Sequence, residues 1–438
     1  MNHGTVMYVA PRGLELRQKI ADRFSIGITG RDVVGAAAIK RLNPDFRWHV
    51  YKSGTDTAVG APGYSFGPVM FLHFSEPTVI VRGGVERAYG AGASVRLYSE
   101  DRYAMHLATP ETREAYIAAI IANEISKPFT DDADVYADGV FLDNTGYQLY
   151  NYGQVISGGT VAECGYVLGS REFQAWHWQE NIGPFCRALR NRLNARGKKL
   201  TINCGGNPNL ALIGAADYFF FENMFSCIDH IWPLLDVAEF DRLAHEDDAA
   251  VWYAPPYKTS DDGCSLTYEQ AMMGNISVAM LCGRENSVLT LMQPADKDPN
   301  LATWERMTWP GRIMERLGEL GEVDGAREMS NHLCTQYDNG EVDFRPRSQG
   351  DAFGVGTEDE VATEPGSRPL SLDGTPGDPV ESIQLARCCG AILLDADPEP
   401  PGCDDKYQAV LENLLAATNA IQGAHDNLES YRACVEGR

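Results

Sequence analysis

The 438-residue sequence lacks any apolar run long enough to span a membrane and has few basic residues for its size. A transmembrane helix needs about 18 to 20 consecutive apolar residues. The 37 basic residues are outnumbered by 61 acidic ones, which gives a net charge of −24. A chain of this charge repels nucleic acids and anionic membrane surfaces at long range. Neither nucleic-acid binding nor membrane insertion is therefore expected.

The sequence also lacks the spacings that hold metals, nucleotides or redox disulfides. Its eleven cysteines are odd in number and include no C-x-x-C pair, and its nine histidines include no H-E-x-x-H motif. No metal or other cofactor is therefore expected. Cys204 and Cys282 lie in apolar stretches, where a reduced cysteine packs as a small apolar residue. This favours a reducing, cytoplasmic location, with secretion as the alternative if a signal peptide has been removed.

Short β-rich runs alternate with longer helical segments between residues 24 and 320, which is typical of a parallel sheet with crossover helices. In the segment 109–126, for example, Thr109 can cap a helix whose first position is Pro110. The β-rich runs are 24–29, 47–51, 78–82, 138–143, 199–204, 217–222, 250–254 and 286–292. Eight such strands close a (β/α)8 TIM barrel, so the predicted fold class is α/β with this architecture.

The pattern predicts further regions on both sides of the barrel at 24–320. Residues 1–23 are predicted to be an N-terminal extension. The Asn339-Gly340 pair between two polar-apolar runs indicates a hairpin, so residues 321–396 are predicted to form a small C-terminal β-domain. Within the barrel, the glycine- and proline-rich residues 52–77 are predicted to be a long loop.

The last region, residues 397–438, is predicted to be an acidic helical tail. Residues 351–438 contain 17 acidic and five basic residues, and Val410, Leu414, Ala417 and Ile421 recur at helical spacing. Such a helix can pack against the body of the protein or against a partner subunit. A homo-oligomer assembled through this tail is therefore a further hypothesis.

Two of the predicted strands end in a carboxylate followed by an asparagine. The first ends at Asp143 before Asn144, and the second ends at Glu222 before Asn223. In a barrel of this kind the active site lies at the carboxyl ends of the strands. Two carboxylates facing one another across that opening can divide the work of glycosidic bond cleavage. We therefore predict Asp143 and Glu222 as the catalytic residues.

Other predicted strand ends carry aromatic, amide and basic side chains that suit sugar hydroxyl groups. The residues predicted to bind substrate are Tyr51, Lys52, Asn144, Asn203 and Tyr253. For each of these residues taken alone, a structural role in packing at the barrel rim is as good an interpretation as substrate binding.

Several of these segments, in this order, resemble the glycoside-hydrolase-like proteins of TIM-barrel fold that are related to the polygalactosaminidase and α-galactosidase groups. The segments are Leu42–Tyr51, Asp138–Asn144, Leu193–Asn203 and Phe221–Asn223, with Tyr337–Gly340 and Gly390–Leu394 in the C-terminal region. The resemblance covers about residues 24–396. It implies a TIM barrel whose catalytic carboxylates follow strands four and six, which correspond to Asp143 and Glu222.

Two hypotheses follow. In the first, the protein is a glycosidase that cleaves an O-glycosidic bond in an oligo- or polysaccharide, with Asp143 as nucleophile or base and Glu222 as general acid. Whether it retains or inverts the anomeric configuration depends on the separation of the two carboxyl groups. In the second, the protein is a catalytically inactive carbohydrate-binding or assembly protein built on the same barrel.

Overall fold

The computed structural model covers the predicted barrel and part of the C-terminal region. It describes residues 2–7, 14–58, 63–82, 85–96, 102–145, 149–151, 154–155, 157–205, 210–222, 231–254, 268–284, 287–290, 309–317, 327–328, 333–337, 339–344, 358–363, 366–371, 373–386 and 390–395. The predicted tail at 397–438 lies outside the described residues.

Eight parallel strands form a closed barrel, as predicted. In chain order they are β1 (Asn2–Met7), β2 (Ile26–Thr29), β3 (Arg47–Ser53), β4 (Gly139–Asp143), β5 (Lys199–Gly205), β6 (Tyr218–Glu222), β7 (Ala250–Ala254) and β8 (Val288–Leu289). Each strand pairs with the next, and β8 pairs with β1 to complete the ring. Strands β2 and β7 are buried at every position, and their largely apolar sequences suit strands that are covered on both faces.

Two of the sequence predictions for the barrel strands are wrong. Residues 1–23 are not an extension, because β1 lies within them and closes the ring between β2 and β8. The run at 78–82 is a strand, but it pairs antiparallel with Val85–Tyr89 in a hairpin outside the barrel. Its β-forming residues suit either setting equally well, since local propensity does not specify the partner strand. One barrel strand was missed and one other strand was wrongly counted, and both lie before Asp143 in the sequence. Asp143 and Glu222 therefore still end the fourth and sixth strands of the barrel.

The helices follow the strands in the expected alternation. They are α1 (Leu14–Arg23), α2 (Ala36–Leu42), α3 (Pro110–Ile120), α4 (Arg171–Trp176), α5 (Gly183–Asn194), α6 (Ile231–Glu246), α7 (Tyr268–Cys282) and α8 (Trp309–Leu317). A π-helical turn at Ile121–Ile125 extends α3, and another at His177–Ile182 joins α4 to α5. The predicted cap is confirmed, because the Thr109 hydroxyl accepts the backbone N–H of Thr112 at 3.3 Å.

The insertion between β3 and β4 and the segment that follows β4 share a second, smaller apolar core. The short antiparallel strands of the insertion are Asp56–Ala58 with Arg102–Ala104 and Thr78–Arg82 with Val85–Tyr89. Beyond β4, Tyr150–Asn151 pairs with Gln154–Val155. The second core contains Leu72, Phe74, Ile80, Val95, Ala104, Leu149, Val161, Leu168, Phe173 and Trp176. Residues 63–77 of the predicted long loop therefore form part of a packed unit, with a 3-10 turn at Pro68–Met70.

The described C-terminal residues form antiparallel sheets that pack on α7. A five-stranded sheet has the order Arg327–Glu328, Leu333–Tyr337, Gly340–Phe344, Gly390–Leu394 and Arg368–Pro369, and Glu358–Ala362 pairs separately with Ser382–Ala386. The predicted hairpin is confirmed, since Tyr337 pairs with Gly340 across its turn. The Tyr337 hydroxyl donates to the carbonyl of Met280 at 2.8 Å, which joins this sheet to α7.

The barrel interior is filled by apolar and aromatic side chains, as in other barrels of this size. The interior cluster consists of Ile26, Ile28, Phe141, Phe220, Trp252, Ala254 and Val288. Phe220 contacts Phe141 edge to face at 5.1 Å and Trp252 at 5.7 Å. Buried polar side chains also lie beside this cluster: the His49 ring is 6.3 Å from that of Trp252, and its Nδ1 lies 2.6 Å from the Thr201 hydroxyl.

Two buried thiols of the described residues lie among apolar side chains. Cys186 and Cys282 are buried, and burial raises the pKa of both thiols, so they pack as small apolar groups. Within the described part of the chain, no helix is both long and apolar enough to cross a membrane.

A buried carboxyl group fastens α6 to β7. Asp241 accepts hydrogen bonds from the hydroxyls of Tyr253 at 2.6 Å and Ser287 at 2.8 Å. Burial raises the pKa of Asp241 from 3.8 to about 7, although these two hydrogen bonds lower it. Because the folded state holds the proton more tightly, the stability that this group contributes is complete below about pH 4 and is lost as the pH rises through about 7.

Replacing Asp241 with asparagine is expected to remove this pH dependence, because the amide cannot ionise. The free energy of unfolding of Asp241→Asn minus that of the parent should therefore increase by about 1 kcal/mol or more between about pH 5 and about pH 8, because only the parent loses stability. Denaturant unfolding at the two pH values measures the change. A difference between the two proteins that is the same at both pH values would show that Asp241 does not titrate in this range.

Candidate active site

Four neighbouring strands each bring one polar side chain to the barrel mouth. Tyr51 lies on β3, Asp143 ends β4, Asn203 lies on β5 and Glu222 ends β6. Because side chains alternate along a strand, Asp143 and Glu222 point to the same side as Phe141 and Phe220, which belong to the interior cluster. Hydrogen bonds connect all four polar side chains in a chain that runs from Tyr51 to Glu222.

Asn203 joins the two carboxyl groups. Its side-chain Nδ2 donates to Asp143 Oδ1 at 2.8 Å and to Glu222 Oε2 at 2.8 Å. Since both oxygens lie 2.8 Å from one nitrogen, they cannot be farther apart than twice that distance. Asn203 is only 8% exposed, so burial holds this bridge in place. The geometry therefore sets an upper limit on the distance between the two facing oxygens, Asp143 Oδ1 and Glu222 Oε2.

Asp143 accepts hydrogen bonds from three donors. The Tyr51 hydroxyl donates to Oδ2 at 2.5 Å, and Oδ1 receives the Asn203 amide and the backbone N–H of Asn144, the latter at 2.9 Å. Tyr51 is itself held in place, because its ring stacks on Phe141 with 5.9 Å between the ring centroids. Hydrogen bonds to a carboxylate stabilise its negative charge and fix its orientation.

Glu222 lies in a different environment. Burial raises the pKa of Glu222 above its ordinary value; the Asn203 hydrogen bond lowers it, and the nearby negative charge of Asp143 raises it. Phe220, two residues before Glu222 on β6, belongs to the apolar interior cluster beneath it. This apolar surface removes water from the Glu222 carboxyl group, which disfavours its charged form. Two carboxyl groups whose environments differ in this way suit different steps of acid–base chemistry.

Residues just beyond the strand ends hold the mouth together. The Thr145 hydroxyl donates to the carbonyl of Asn203 at 2.9 Å, and the Thr55 hydroxyl donates to the carbonyl of Asn144 at 2.6 Å. The backbone N–H of Gly54 donates to the carbonyl of Asp143 at 2.7 Å. A Cβ at Gly54 would lie 2.3 Å from Thr145, so only glycine permits this close approach. The sequence prediction missed all three residues, and only the Ser-Gly-Thr sequence after β3 hinted at a tight turn.

The structure places the predicted binding residues in two groups. Tyr51 and Asn203 join the carboxyl groups, whereas Lys52 and Tyr253 point away from the barrel axis. The ammonium group of Lys52 lies 3.5 Å from the centre of the Tyr64 ring, and burial lowers the pKa of Lys52 to about 8. Tyr253 is fully buried and donates to Asp241 behind the strand. Strand pairing explains why Lys52 and Tyr253 point outward. Lys52 is in register with Leu142 and Tyr253 with Phe221, and each of these partners lies one residue before an inward-pointing carboxylate.

Asn144 adopts an uncommon backbone conformation beside Asp143. Its φ of 56° lies in the left-handed region, which asparagine tolerates better than most residues. This turn aims the backbone N–H of Asn144 at Asp143 Oδ1. The contact to the catalytic candidate is therefore made by the main chain, and substrate binding by the side chain remains a prediction.

Matched substitutions at Asn144 test this account. Asn144→Gly is expected to preserve the turn and the N–H contact, whereas Asn144→Ala should be less stable than the glycine variant by about 1 kcal/mol, because alanine is strained at positive φ. Denaturant unfolding of the two variants side by side measures the difference. An alanine variant as stable as the glycine variant would mean that the turn is not strained.

In the described part of the chain, no three His, Cys, Asp or Glu side chains are arranged to hold a metal ion.

No protein-family model and no curated protein matches the sequence. Solved structures that resemble the chain include an Anoxybacillus α-amylase from a new glycosyl hydrolase subclass, with a TM-score of 0.47 and 8% identity over 90% of this chain and 97% of that chain. A Geobacillus stearothermophilus β-L-arabinopyranosidase gives a TM-score of 0.48 and 10% identity over 91% and 96%. A sulfoquinovosidase from E. rectale gives 0.47 and 12% identity over 94% and 64%.

Proposed function

We propose that the protein is a glycoside hydrolase that cleaves an O-glycosidic bond in an oligo- or polysaccharide with retention of anomeric configuration. The observation that carries the proposal is the single Asn203 nitrogen that contacts both Asp143 and Glu222. Retaining enzymes hold their two carboxyl groups about 5 to 5.5 Å apart, whereas inverting enzymes need about 6.5 to 9.5 Å to admit a water molecule. The facing oxygens of Asp143 and Glu222 fit the shorter range.

Asp143 is proposed as the nucleophile. Its three donors hold the carboxylate in one orientation, and Oδ2 lies on the side of Tyr51, which is 38% exposed at the mouth. In the first step Asp143 forms a bond to the anomeric carbon as the bond to the leaving oxygen breaks. The product of this step is a glycosyl ester of Asp143 and a released alcohol.

Glu222 is proposed as the acid and then the base. Its raised pKa keeps the proton on the carboxyl group until the leaving oxygen takes it. When Asp143 becomes an ester it loses its negative charge, which is one of the causes of that raised pKa. The pKa of Glu222 then falls, which makes its ionised form available as a base. In the second step Glu222 takes a proton from water while the water oxygen attacks the anomeric carbon and releases Asp143.

A panel of α- and β-linked 4-nitrophenyl glycosides tests the proposal. Release of nitrophenol identifies an accepted sugar, and NMR of the first sugar anomer formed gives the stereochemistry. We expect turnover with retention. An initial product of inverted configuration would contradict the roles of Asp143 and Glu222, and glycan binding without any turnover would favour the inactive carbohydrate-binding protein.

A further inference from the structure

Both polar atoms of the Asn203 amide group have partners within the barrel mouth. Its Nδ2 carries two hydrogens, and it donates to Asp143 Oδ1 and to Glu222 Oε2, each at 2.8 Å. Its Oδ1 accepts the backbone N–H of Gly205 at 2.9 Å. Both amide hydrogens are therefore committed to the two carboxyl groups.

Two further hydrogen bonds and burial hold Asn203 in this orientation. The Gly205 N–H fixes which end of the amide is the oxygen, because a flipped amide would place Oδ1 against two carboxyl oxygens that are also acceptors. The Thr145 hydroxyl donates to the backbone carbonyl of Asn203 at 2.9 Å. The side chain of Asn203 lies on the buried strand β5 and is almost fully covered. The N–H groups of the amide are therefore directed at Asp143 and Glu222.

The strands on either side of β6 supply the surroundings of the Glu222 carboxyl group. β7 places the apolar Ala254 in register with Glu222, and β5 supplies Asn203. The negative charge that acts on Glu222 is that of Asp143 on β4. Among the described residues, Asn203 is thus the hydrogen-bond donor to Glu222.

The position of Asn203 also determines where a proton can lie. Two carboxyl groups in direct contact share one proton between their facing oxygens. In this protein the facing oxygens, Asp143 Oδ1 and Glu222 Oε2, each accept an N–H of Asn203 instead. A protonated carboxyl group accepts through its carbonyl oxygen and donates through the other oxygen. The N–H at Oε2 therefore leaves Oε1 as the site of the Glu222 proton.

We propose that Asn203 is a positioning residue that keeps the two carboxyl groups from sharing a proton and directs the acid proton of Glu222 to Oε1. The inference rests on the proposed hydrolase reaction, in which this proton passes to the leaving oxygen. The O–H bond at Oε1 breaks as the O–H bond of the released alcohol forms. The Asn203 N–H then stabilises the Glu222 carboxylate until it takes a proton from water in the second step.

Titration of Glu222 by NMR of carbon-13-labelled glutamate side chains tests the proposal without requiring turnover. The Glu222 signal is assigned by its absence in Glu222→Gln. In Asn203→Leu the acid dissociation constant of Glu222 should fall about tenfold or more, because a hydrogen bond to the charged form is lost. Asn123→Leu is the matched control and should leave this constant unchanged. Asn123 is also 8% exposed, and its amide donates to the carbonyls of Gly63 and Ala119, outside the mouth.

Asn203→Asp is a second variant that keeps the size of the side chain. It replaces the two amide donors with an acceptor and adds a like charge beside Glu222, so it should also lower the dissociation constant of Glu222. An unchanged constant in folded Asn203→Leu or Asn203→Asp would overturn the proposal. An equal fall in Asn123→Leu would overturn it as well.

Kinetics separates this proposal from the proposed function. On a substrate with a poor leaving group, kcat of Asn203→Leu should fall about 10- to 100-fold with KM nearly unchanged, and the alkaline decline of kcat/KM should move to higher pH. A rise in KM with kcat unchanged would overturn the proposal and assign Asn203 to substrate binding. A parent protein without turnover would overturn the proposed hydrolase, whereas the titration would still decide whether Asn203 controls the proton of Glu222.

Discussion

Asp143→Asn is expected to reduce kcat/KM for glycoside cleavage on the order of 10⁴-fold or more, the scale seen when a nucleophile is removed. The amide cannot form the glycosyl ester, while the barrel and the other mouth residues remain. Asn203 can reorient to donate to the new amide oxygen, so folding should be preserved. Turnover of the accepted nitrophenyl glycoside by the purified variant measures the effect, with Asp45→Asn as an exposed control that loses the same charge.

Azide distinguishes a missing nucleophile from a disturbed site. A small anion can occupy the space left by the carboxylate and attack the anomeric carbon directly. In Asp143→Asn it should restore turnover and give a glycosyl azide of inverted configuration, because only one displacement takes place. A folded Asp143→Asn variant that cleaves substrate as fast as the parent would remove Asp143 from the mechanism.

Glu222→Gln is expected to slow cleavage of substrates with poor leaving groups by about 10²- to 10⁴-fold, the usual contribution of a general acid. A 2,4-dinitrophenyl glycoside needs no proton on its leaving oxygen, so formation of the Asp143 ester from it should be nearly as fast as in the parent. Single-turnover kinetics with both kinds of leaving group measures this contrast. An equal loss on both would mean that Glu222 does not act as the acid.

The pH dependence of the parent follows from the same assignment. Because the pKa of Glu222 is raised, its proton is retained to a higher pH than in an ordinary glutamic acid. The value of kcat/KM should therefore fall as the pH rises through the pKa of Glu222, at a higher pH than an ordinary glutamic acid would give. This alkaline decline should be absent when Glu222→Gln acts on the dinitrophenyl glycoside.

The positions of the two carboxyl groups proposed as catalytic could be predicted from the sequence because two patterns coincide on them. Apolar runs ending in Asp143 and Glu222 identify strands, and the polarity of a parallel barrel places both ends at one opening. Asn203 and Tyr51 were predicted for the same reason. The Asn203 contacts agree with the predicted strand order, in which the strand of Asn203 lies between those of Asp143 and Glu222. The contact of Tyr51 with Asp143 does not, because the prediction placed the run 78–82 between their strands.

Side-chain direction and strand partners could not be predicted in the same way. Lys52 and Tyr253 lie one residue away from inward positions, and a shift of one residue moves a side chain to the other face of the sheet. The strand β1 was missed because Asn2–Met7 contains few residues that favour strands on their own. The contacts of Gly54, Thr55 and Thr145 depend on the pairing of β3 with β4 and of β4 with β5, a long-range arrangement that local patterns do not specify.

Covalent trapping tests the central claim most directly. The reagent is a 2,4-dinitrophenyl 2-deoxy-2-fluoroglycoside of the accepted sugar. It forms the glycosyl ester slowly and hydrolyses from the enzyme more slowly still, so the glycosyl enzyme accumulates. Mass spectrometry of the trapped protein and its peptides should show one added sugar, attached at Asp143, and none in Asp143→Asn. Attachment at another residue would contradict the assignment of Asp143 as the nucleophile held beside Glu222 by Asn203.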